Sequence, residues 1–583
     1  MNKVVSNSEI AELLYEIGEF LAMQEEPFKP RAYEKAGDAI SELSASVEEI
    51  YRVSGVKGIE EIPGVGKSIA STIEEFILKG KSTHYEDLKK QTPVNLKELS
   101  SIEGLGPKSI KKLYVALKIK NLADLGKAAR AHKISGLAGF GEKAEQNILK
   151  GIEFLKQSGG RFTLGEVFPI AVAIQERLAG VPGVEKVVIA GSTRRGRETV
   201  GDVDILAIAK DSERIMKEFV SFGEVAKVFA HGETKSAVKL KNGLDVDLRV
   251  VPKESYGSAL NYFTGSKAHN VHLRQIAIKK GYKLNEYGLF KGSKQVAGKS
   301  EEEIYSKLGL DYVEPEMRED LGEIELALRQ AQGKPGGLPK LIGYGDLKGD
   351  LQVQTDWTDG AHSIEWMAKE AIKHGLKYIA ITDHTKRLAM TGGLDDKKIL
   401  KQMAEIDRLN KKFAGKIKIL KGSECDILKD GSMDLEDKTL AKLDVVGGSV
   451  HSHFNLSSKE QTERIMRAMG NKNVDIIFHP TGRVIKKREA YEVNIGALIA
   501  KARETGTILE IDAYPDRLDL KDEYIRKCVD AGVKLSIDSD AHSAEHFDFL
   551  KFGIIQARRG WAEKKDIINA WPVEKMLKML KNN

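Results

Sequence analysis

Cysteine is nearly missing from this chain: among 583 residues only Cys425 and Cys528 carry a thiol. Two thiols exclude a disulfide framework and a thiolate zinc cluster. Long apolar runs are missing as well. Nothing approaches the roughly 18 consecutive apolar residues of a membrane-spanning helix, and the opening MNKVVSNSEIAELL lacks the basic-then-apolar layout of a signal peptide. A cytoplasmic protein without membrane attachment is therefore expected. Nor does one charge dominate: 92 Lys and Arg face 86 Asp and Glu, a formal net charge of +6. That balance permits a polyanionic partner without demanding one. What is present is a hydrophobic content of 41%, ample for packed cores. The length prior divides such a chain into about four units of ordinary domain size.

The opening region reads as helical. Ile10, Leu13, Leu14, Ile17 and Leu21 recur at helical spacing, and 32–43 repeats the pattern. A unit then recurs as IEEIPGVGKSIA (59–70), LSSIEGLGPKSI (99–110) and ISGLAGFGEKA (134–144). Each copy has two apolar anchors, Gly-apolar-Gly, a lysine and a helical run, and the glycine pairs begin at Gly64, Gly104 and Gly139, 40 and 35 residues apart. A Gly-x-Gly turn before a helix leaves backbone N–H groups open where the helix dipole favours negative charge, so it can approach a phosphate closely. Lys67, Lys108 and Lys143 follow the turns and suit phosphate contacts. The plainer reading is a helical hairpin capped by glycine. Three copies with basic followers favour a grip on a DNA backbone through Gly64, Gly66, Gly104, Gly106, Gly139 and Gly141.

From about residue 160 the texture becomes α+β. A helix over 165–179 leads to a strand over 186–190 and then to GSTRRGRETVGDVDILAIAK (191–210). Period two places Asp202 and Asp204 on one face of a strand, with Val203 and Ile205 on the other. Paired carboxylates repel, so stability gives no reason for them, whereas a hard divalent cation does. A solvated strand edge after a turn is the competing account. A helix over 212–222 and strands over 237–240 and 244–251 follow. In the last, Leu244, Val246, Leu248 and Val250 share one face and Asp245, Asp247 and Arg249 the other, so a neighbouring strand offers a third carboxylate. On pattern alone Asp245 and Asp247 compete for that place. Residues 255–317 read as a smaller mixed unit and 318–332 as a charged helix.

The segment GKPGGLP (333–339) is a linker, since its Pro and Gly cannot continue helix or strand. Beyond it, LKYIAITDH, IKILKGSEC, LDVVGGSVH, VDIIFHPTG, TILEIDAYP and VKLSIDSDAH are apolar runs that end in polar or titratable residues. That layout predicts a parallel β/α barrel with its active residues at the C-terminal strand ends.

With these motifs in order, the chain resembles the family X DNA polymerases of the polymerase-beta type. Gly191-Ser192, Asp202-x-Asp204, Asp247 and YFTGS (262–266) resemble their nucleotidyltransferase palm, and the repeats look like helix-hairpin-helix motifs. The barrel resembles a PHP (polymerase and histidinol phosphatase) domain, the arrangement of bacterial and archaeal members. The resemblance implies a multidomain fold: N-terminal helical domain with the first hairpin (1–82), helical domain with the second and third (83–158), α+β palm (159–262), small α/β thumb (263–317), helix and linker (318–344), and TIM-like PHP barrel (345–583). It also implies a monomer that adds dNTPs to a primer 3′-hydroxyl in gapped or primer-template DNA. By the family match Asp202, Asp204 and Asp247 bind Mg²⁺ or Mn²⁺. Ser192, Arg195, Gly201 and Arg161 match triphosphate contacts. Tyr262, Phe263 and Gly265 match the turn beside the nucleotide sugar, and Asn270 and Arg274 match residues around the nascent base pair.

Two departures from the family matter. Where the N-terminal domain of polymerase beta carries the Schiff-base lysine of the 5′-deoxyribose phosphate lyase, this chain has Thr72, which cannot form an imine. Lys67 and Lys35 lie near in sequence but are more simply phosphate contacts, so lyase activity is expected to be weak or absent. In the barrel, the first motif of PHP domains, His-x-His, is Gln352-Val353-Gln354. The remaining ligand positions match: Asp359, His384 and His542 for one Mn²⁺ or Zn²⁺ site, Glu424, His451 and His479 for a second, with Asp540 serving a third. Amides are poor replacements for imidazole at such ions, so two sites are expected to persist and the third to be weakened. The family's 3′–5′ exonuclease then competes with a barrel kept only for packing. A PHP phosphoesterase that uses the palm to hold DNA, and a non-catalytic DNA-end scaffold, are the alternative functions.

Overall fold

The computed structural model describes residues 5, 7–41, 43, 46–100, 102, 105–157, 160–333, 336–388 and 391–580. The chain divides into two compact units, residues 1–159 with 486–488 and residues 160–485 with 489–583.

The first unit is helical, with helices at Asn7–Met23, Lys29–Ser41, Val47–Glu60, Lys67–Lys79, Thr83–Gln91, Leu96–Ser100, Pro107–Leu117, Leu122–Arg130 and Glu142–Gln157. The repeat seen in sequence is a repeat in hydrogen bonding. Ile62 N donates to Ile59 O and Val65 N to Ile62 O; Ile102 N to Leu99 O and Leu105 N to Ile102 O; Ile134 O and Leu137 O accept from Leu137 N and Phe140 N. The apolar anchors of each turn pack in the common core, while Gly64, Gly66, Gly106, Gly139 and Gly141 are exposed. Ser46, Ser82 and Asn121 cap other helices with side-chain oxygens, whereas Gly66 and Gly106 begin the Lys67–Lys79 and Pro107–Leu117 helices with no capping side chain. Gly104 lies outside the described residues.

In the second unit a sheet is built from β1 (Val184–Ile189), β2 (Asp202–Ala209), β3 (Val225–His231), β4 (Lys235–Leu240) and β5 (Asp245–Val250), in the order β1-β2-β5-β4-β3. Alternation sorts its faces. Val203, Ile205, Ala207, Val246 and Leu248 pack against the Leu164–Ala179 and Ser212–Val220 helices, while Leu206 on the other face meets Tyr256, Ala259 and Leu260 of the Tyr256–Thr264 helix. The predicted Gly191–Ser192 turn is the start of a short helix, Gly191–Arg194. A small subdomain follows, with the Lys267–Lys279 and Glu301–Lys307 helices around a three-stranded antiparallel sheet over 283–297.

The helix expected over 318–332 is shorter, Glu323–Ala331. Arg318 is fully buried, its guanidinium bonded to Val313 O and Glu301, and Asp320 takes φ of 61°. Burying that charge holds the backbone away from helix until Glu323.

Beyond 344 come β6 (Gly349–Val353), β7 (Tyr378–Ile381), β8 (Lys418–Asp426), β9 (Val445–Ser449), β10 (Ile476–Ile477), β11 (Ile508–Asp512) and β12 (Leu535–Asp538). They pair parallel in sequence order, and a parallel bridge from Val353 to Ala541 brings the first strand to the last, the expected barrel. The barrel and the palm share a core: Leu518, Phe552 and Ile555 pack among Leu164, Val167 and Val203. Among the described residues no helix is long and apolar enough to cross a membrane.

Candidate active site

The acidic face of the palm is set by strand register. β2 and β5 run parallel with Asp202 opposite Asp245 and Asp204 opposite Asp247, so all four carboxylates leave one face of the sheet. Their surroundings separate them. Burial, then Asp202, then Asp247 raise the Asp204 pKa to about 6, with Arg249 and Lys235 offsetting only part of this. Asp245 lies 2.6 Å from Lys239, while Asp247 lies 2.9 Å from Lys235. A carboxylate cluster that disfavours charge on its most buried member is short of positive charge, and its hard oxygens suit a divalent cation. The acidic face thus offers oxygen donors of the kind the implied metal takes.

Gly191 closes the end of the site. Its φ is 64°, and a Cβ there would stand 2.5 Å from Asp204 Oδ2. A side chain would meet both backbone strain and a clash. Ser192 follows within the same short helix. Arg195 is drawn across toward YFTGS: its Nη1 donates to Thr264 O and its Nε stands 3.2 Å from Glu319. Gly265 is so near that an added Cβ would be 3.0 Å from Arg195 Nη1. Arg161 donates to Thr199 Oγ1 at 3.0 Å and flanks Gly201.

Tyr262 and Phe263 meet edge to face with centroids 5.1 Å apart, and the Arg249 guanidinium lies 4.5 Å over Phe263. Tyr262 is 39% exposed, so it is not a core residue. Asn270 Nδ2 donates to Tyr262 O at 2.8 Å, with half-buried Arg274 one helical turn further on. The preceding His269 is fully buried between Glu323 and the Tyr305 hydroxyl, each 2.7 Å away, which fixes the helix that carries Asn270. Arg194, next to Arg195, makes a two-pronged pair with Glu301 at 3.0 and 2.6 Å and binds Thr264 Oγ1 at 2.7 Å. Palm and small subdomain therefore meet through fixed charges around Arg194 and Arg195.

At the C-terminal mouth of the barrel the remaining ligand positions converge. Asp359, His384 and His542 offer ligand atoms within 4.8 Å of one another, as do His384, Glu424 and His451. His384 therefore stands in both sets, not in the first alone. His479 Nε2 reaches the same Glu424 oxygen, at 2.8 Å, that His451 approaches at 3.0 Å. Burial would raise the Glu424 carboxyl, and His384 and His451 outweigh it and hold it well below its ordinary value. Burial likewise opposes charge on His451, but Glu424 and Asp426 lift it to about 9. His479 Nδ1 has no hydrogen-bond partner among the described residues. Imidazoles converging on a buried carboxylate with unsatisfied nitrogens fit the implied metal ions at these two positions.

The third position does not fit. Gln354 Nε2 donates to Glu424 at 2.9 Å, so it spends a donor where an imidazole would offer a lone pair. Both amide atoms of buried Gln352 lack partners among the described residues. Near Asp540 stands a cation of the chain itself: Arg517 Nε is 3.9 Å from Asp540 and 3.5 Å from Asp512. Sequence reasoning missed Asp426, two residues beyond Glu424 on the same strand face, and Arg517, which follows β11 in a loop with no recognisable spacing.

In the repeated turns Gly64 and Gly139 take φ of 82° and 91°, and Lys67, Lys108 and Lys143 lie in the first turn of the helices beyond. Thr72 is buried and its hydroxyl donates to Ser68 O at 3.1 Å, a packing role within its helix.

Comparison with known proteins agrees with this geometry. The chain matches the family models described as helix-hairpin-helix domain over residues 5–82, SAM-like helix-hairpin-helix tandem over 96–153, DNA polymerase beta thumb over 259–319 and PHP domain over 350–514. It is 38% identical over 580 residues to the DNA polymerase/3′-5′ exonuclease PolX of Bacillus subtilis (strain 168), covering 99% of both chains. DNA polymerase lambda of Arabidopsis thaliana is 26% identical over 309 residues, 46% of this chain and 54% of that one. A probable phosphatase of Thermoanaerobacter sp. (strain X514) is 32% identical over 195 residues, 32% of this chain and 74% of the relative. The chain belongs to the family X DNA polymerases, metal-dependent enzymes acting on DNA and dNTPs, in the form that carries a C-terminal PHP domain.

Proposed function

We propose that Asp202, Asp204 and Asp247 carry primer extension, with the division of labour at 82, 158, 262, 317 and 344 following the sequence boundaries. The observation that carries this is the pairing of β2 and β5, which gathers carboxylates on one face, where burial first and then Asp202 and Asp247 push Asp204 up to about 6. Mg²⁺, or Mn²⁺, held by these three would activate the primer 3′-hydroxyl and neutralise charge on the transferring phosphoryl group. The 3′-oxygen forms a bond to the α-phosphorus as the bond to pyrophosphate breaks. Arg195 and Ser192 receive the charge of the departing phosphates, by ion pairing and by hydrogen bonding, with Arg161 and Gly201 beside them. Tyr262, Phe263 and Gly265 line the sugar side, and Asn270 and Arg274 face the nascent base pair. The turns at Gly64–Lys67, Gly106–Lys108 and Gly139–Lys143 hold the DNA backbone without reading its sequence. Such an enzyme fills short gaps during repair as a cytoplasmic monomer. Thr72 leaves it without the lyase nucleophile.

A second activity is supported by the barrel. Asp359, His384 and His542, and His384, Glu424, His451 and His479, keep two cation positions suited to Mn²⁺ or Zn²⁺, and the B. subtilis relative is described as a 3′-5′ exonuclease. We assign the barrel a 3′–5′ exonuclease weakened by Gln352 and Gln354. Degradation of a single-stranded oligonucleotide with Mn²⁺ tests this: His451→Ala should abolish it and leave primer extension intact. Equal degradation by the two proteins would remove the barrel from the reaction.

A further inference from the structure

The helix Leu550–Arg559 belongs to the barrel but has two partners. One face packs on the barrel: a Cβ on Gly553 would stand 2.5 Å from Ile537 and 2.7 Å from Ala513. The other face enters the palm core through Phe552 and Ile555. The palm loop that carries Arg195 rests directly on it. Gly196 takes φ of 64°, and a Cβ there would meet Ile555 Cγ2 at 2.0 Å, so only glycine lets loop and helix come this close.

At the end of that helix Arg559 is buried and fully engaged. Its Nη1 donates to the backbone oxygen of Arg195 at 2.8 Å and to Glu319 Oε1 at 3.1 Å, and its Nη2 to Asp522 at 2.6 Å. The same Glu319 oxygen stands 3.2 Å from Arg195 Nε and 3.7 Å from Arg197. One barrel arginine therefore holds the Arg195 backbone directly and its side chain through a shared carboxylate. Thr264 O receives Arg195 Nη1 on the far side.

Packing alone does not call for this arrangement. Burying guanidiniums against one another costs desolvation and repulsion, and an apolar contact would join the elements more cheaply. Arg195, Arg197 and Arg559 share two carboxylates, Glu319 and Asp522, so the loop keeps an excess of positive charge. Burial, and further Arg559 and Arg197, disfavour the charge on Arg195 despite Glu319. An incoming polyphosphate relieves that excess, which makes the cluster a prepared anion site.

We propose that Arg559 is a positioning residue for the nucleotide triphosphate, acting through Arg195 and Glu319, so that the barrel is a working part of the polymerase's nucleotide site. This rests on the reading of Arg195 as a triphosphate contact.

Single-nucleotide insertion into a gapped duplex by the full chain tests it, with KM for dNTP, KM for DNA and kcat measured separately. Arg559→Gln should raise the dNTP KM about tenfold, the scale of one charge-assisted hydrogen bond. The DNA KM should not move, and Arg559→Lys should lie between the two. In an Arg195→Gln background Arg559→Gln should add nothing, because its effect runs through Arg195. An unchanged dNTP KM in Arg559→Gln, with a raised one in Arg195→Gln, overturns the proposal, and so does an equal rise in both backgrounds. An unchanged KM in Arg195→Gln itself overturns the underlying assignment instead. If Arg559→Gln lowers the unfolding temperature, Glu319→Gln removes the shared carboxylate that joins Arg559 to the Arg195 side chain and leaves every residue of the helix in place. The same rise in dNTP KM is expected from it, and its absence again overturns the proposal.

Discussion

Burial, Asp202 and Asp247 all disfavour charge on Asp204, and this is why a residue on an ordinary amphipathic strand has its pKa pushed to about 6. The site tolerates little displacement around that carboxylate. Gly191→Ala should lower nucleotide insertion about a hundredfold, the cost of moving reacting groups by about an ångström, with DNA binding unaltered. Equal insertion rates would mean that the short helix is not pressed against Asp204. Away from the chemistry, Glu301 shows what fixed charge does for stability. Burial would raise it, but Arg318 and Arg194 outweigh burial and hold it at about 2 from an ordinary 4.5. A depressed carboxylate stabilises the fold fully above its unfolded pKa and loses that contribution as pH falls through the folded value. Glu301→Gln should therefore cost up to about 3 kcal/mol near neutral pH. The gap to the wild type should close between pH about 4.5 and about 2. Denaturant unfolding of both proteins across that range checks it, and a gap independent of pH would contradict it.

At the scale of elements, what could be read in sequence followed from periodicity. Period two placed Asp202 and Asp204 on one face and offered Asp245 or Asp247 from a neighbouring strand, and the strand pairing brings all four to the same face of the sheet. The threefold turn was legible for a similar reason: its apolar anchors and glycines repeat, and so do its hydrogen bonds. Elements whose conformation depends on distant charge were not legible. Residues 318–322 looked like the start of a charged helix, yet Arg318 turns inward to meet Glu301. Nothing local announces that pairing. Arg517 and Arg559 escaped notice likewise, since Glu319 lies 240 residues from Arg559. The turns also carry a direct expectation. Replacing Lys67, Lys108 and Lys143 together by Ala should weaken binding to duplex DNA uniformly across sequences. The slope of log affinity against log salt should fall in magnitude by up to about three. An unchanged slope would mean that these lysines do not meet phosphates.

For the molecule as a whole, one chain holds two metal-suited sites in different states of repair. The palm has all three acidic positions of the family pattern, whereas the barrel keeps two cation positions and fills the neighbourhood of the third with amides and Arg517. Because the barrel shares a core with the palm and supplies Arg559 to the loop that carries Arg195, it has a structural reason to persist whatever its own activity. In the proposed reaction polymerisation runs on Asp202, Asp204 and Asp247, with Asp245 a bystander on the same face. The direct measurement is addition of one dNTP to a gapped duplex with Mg²⁺ by wild type, Asp245→Asn and Asp247→Asn. Asp245→Asn should extend within about threefold of wild type, and Asp247→Asn should fall by at least about a hundredfold. Full extension by Asp247→Asn, or loss of extension by Asp245→Asn alone, would contradict the account.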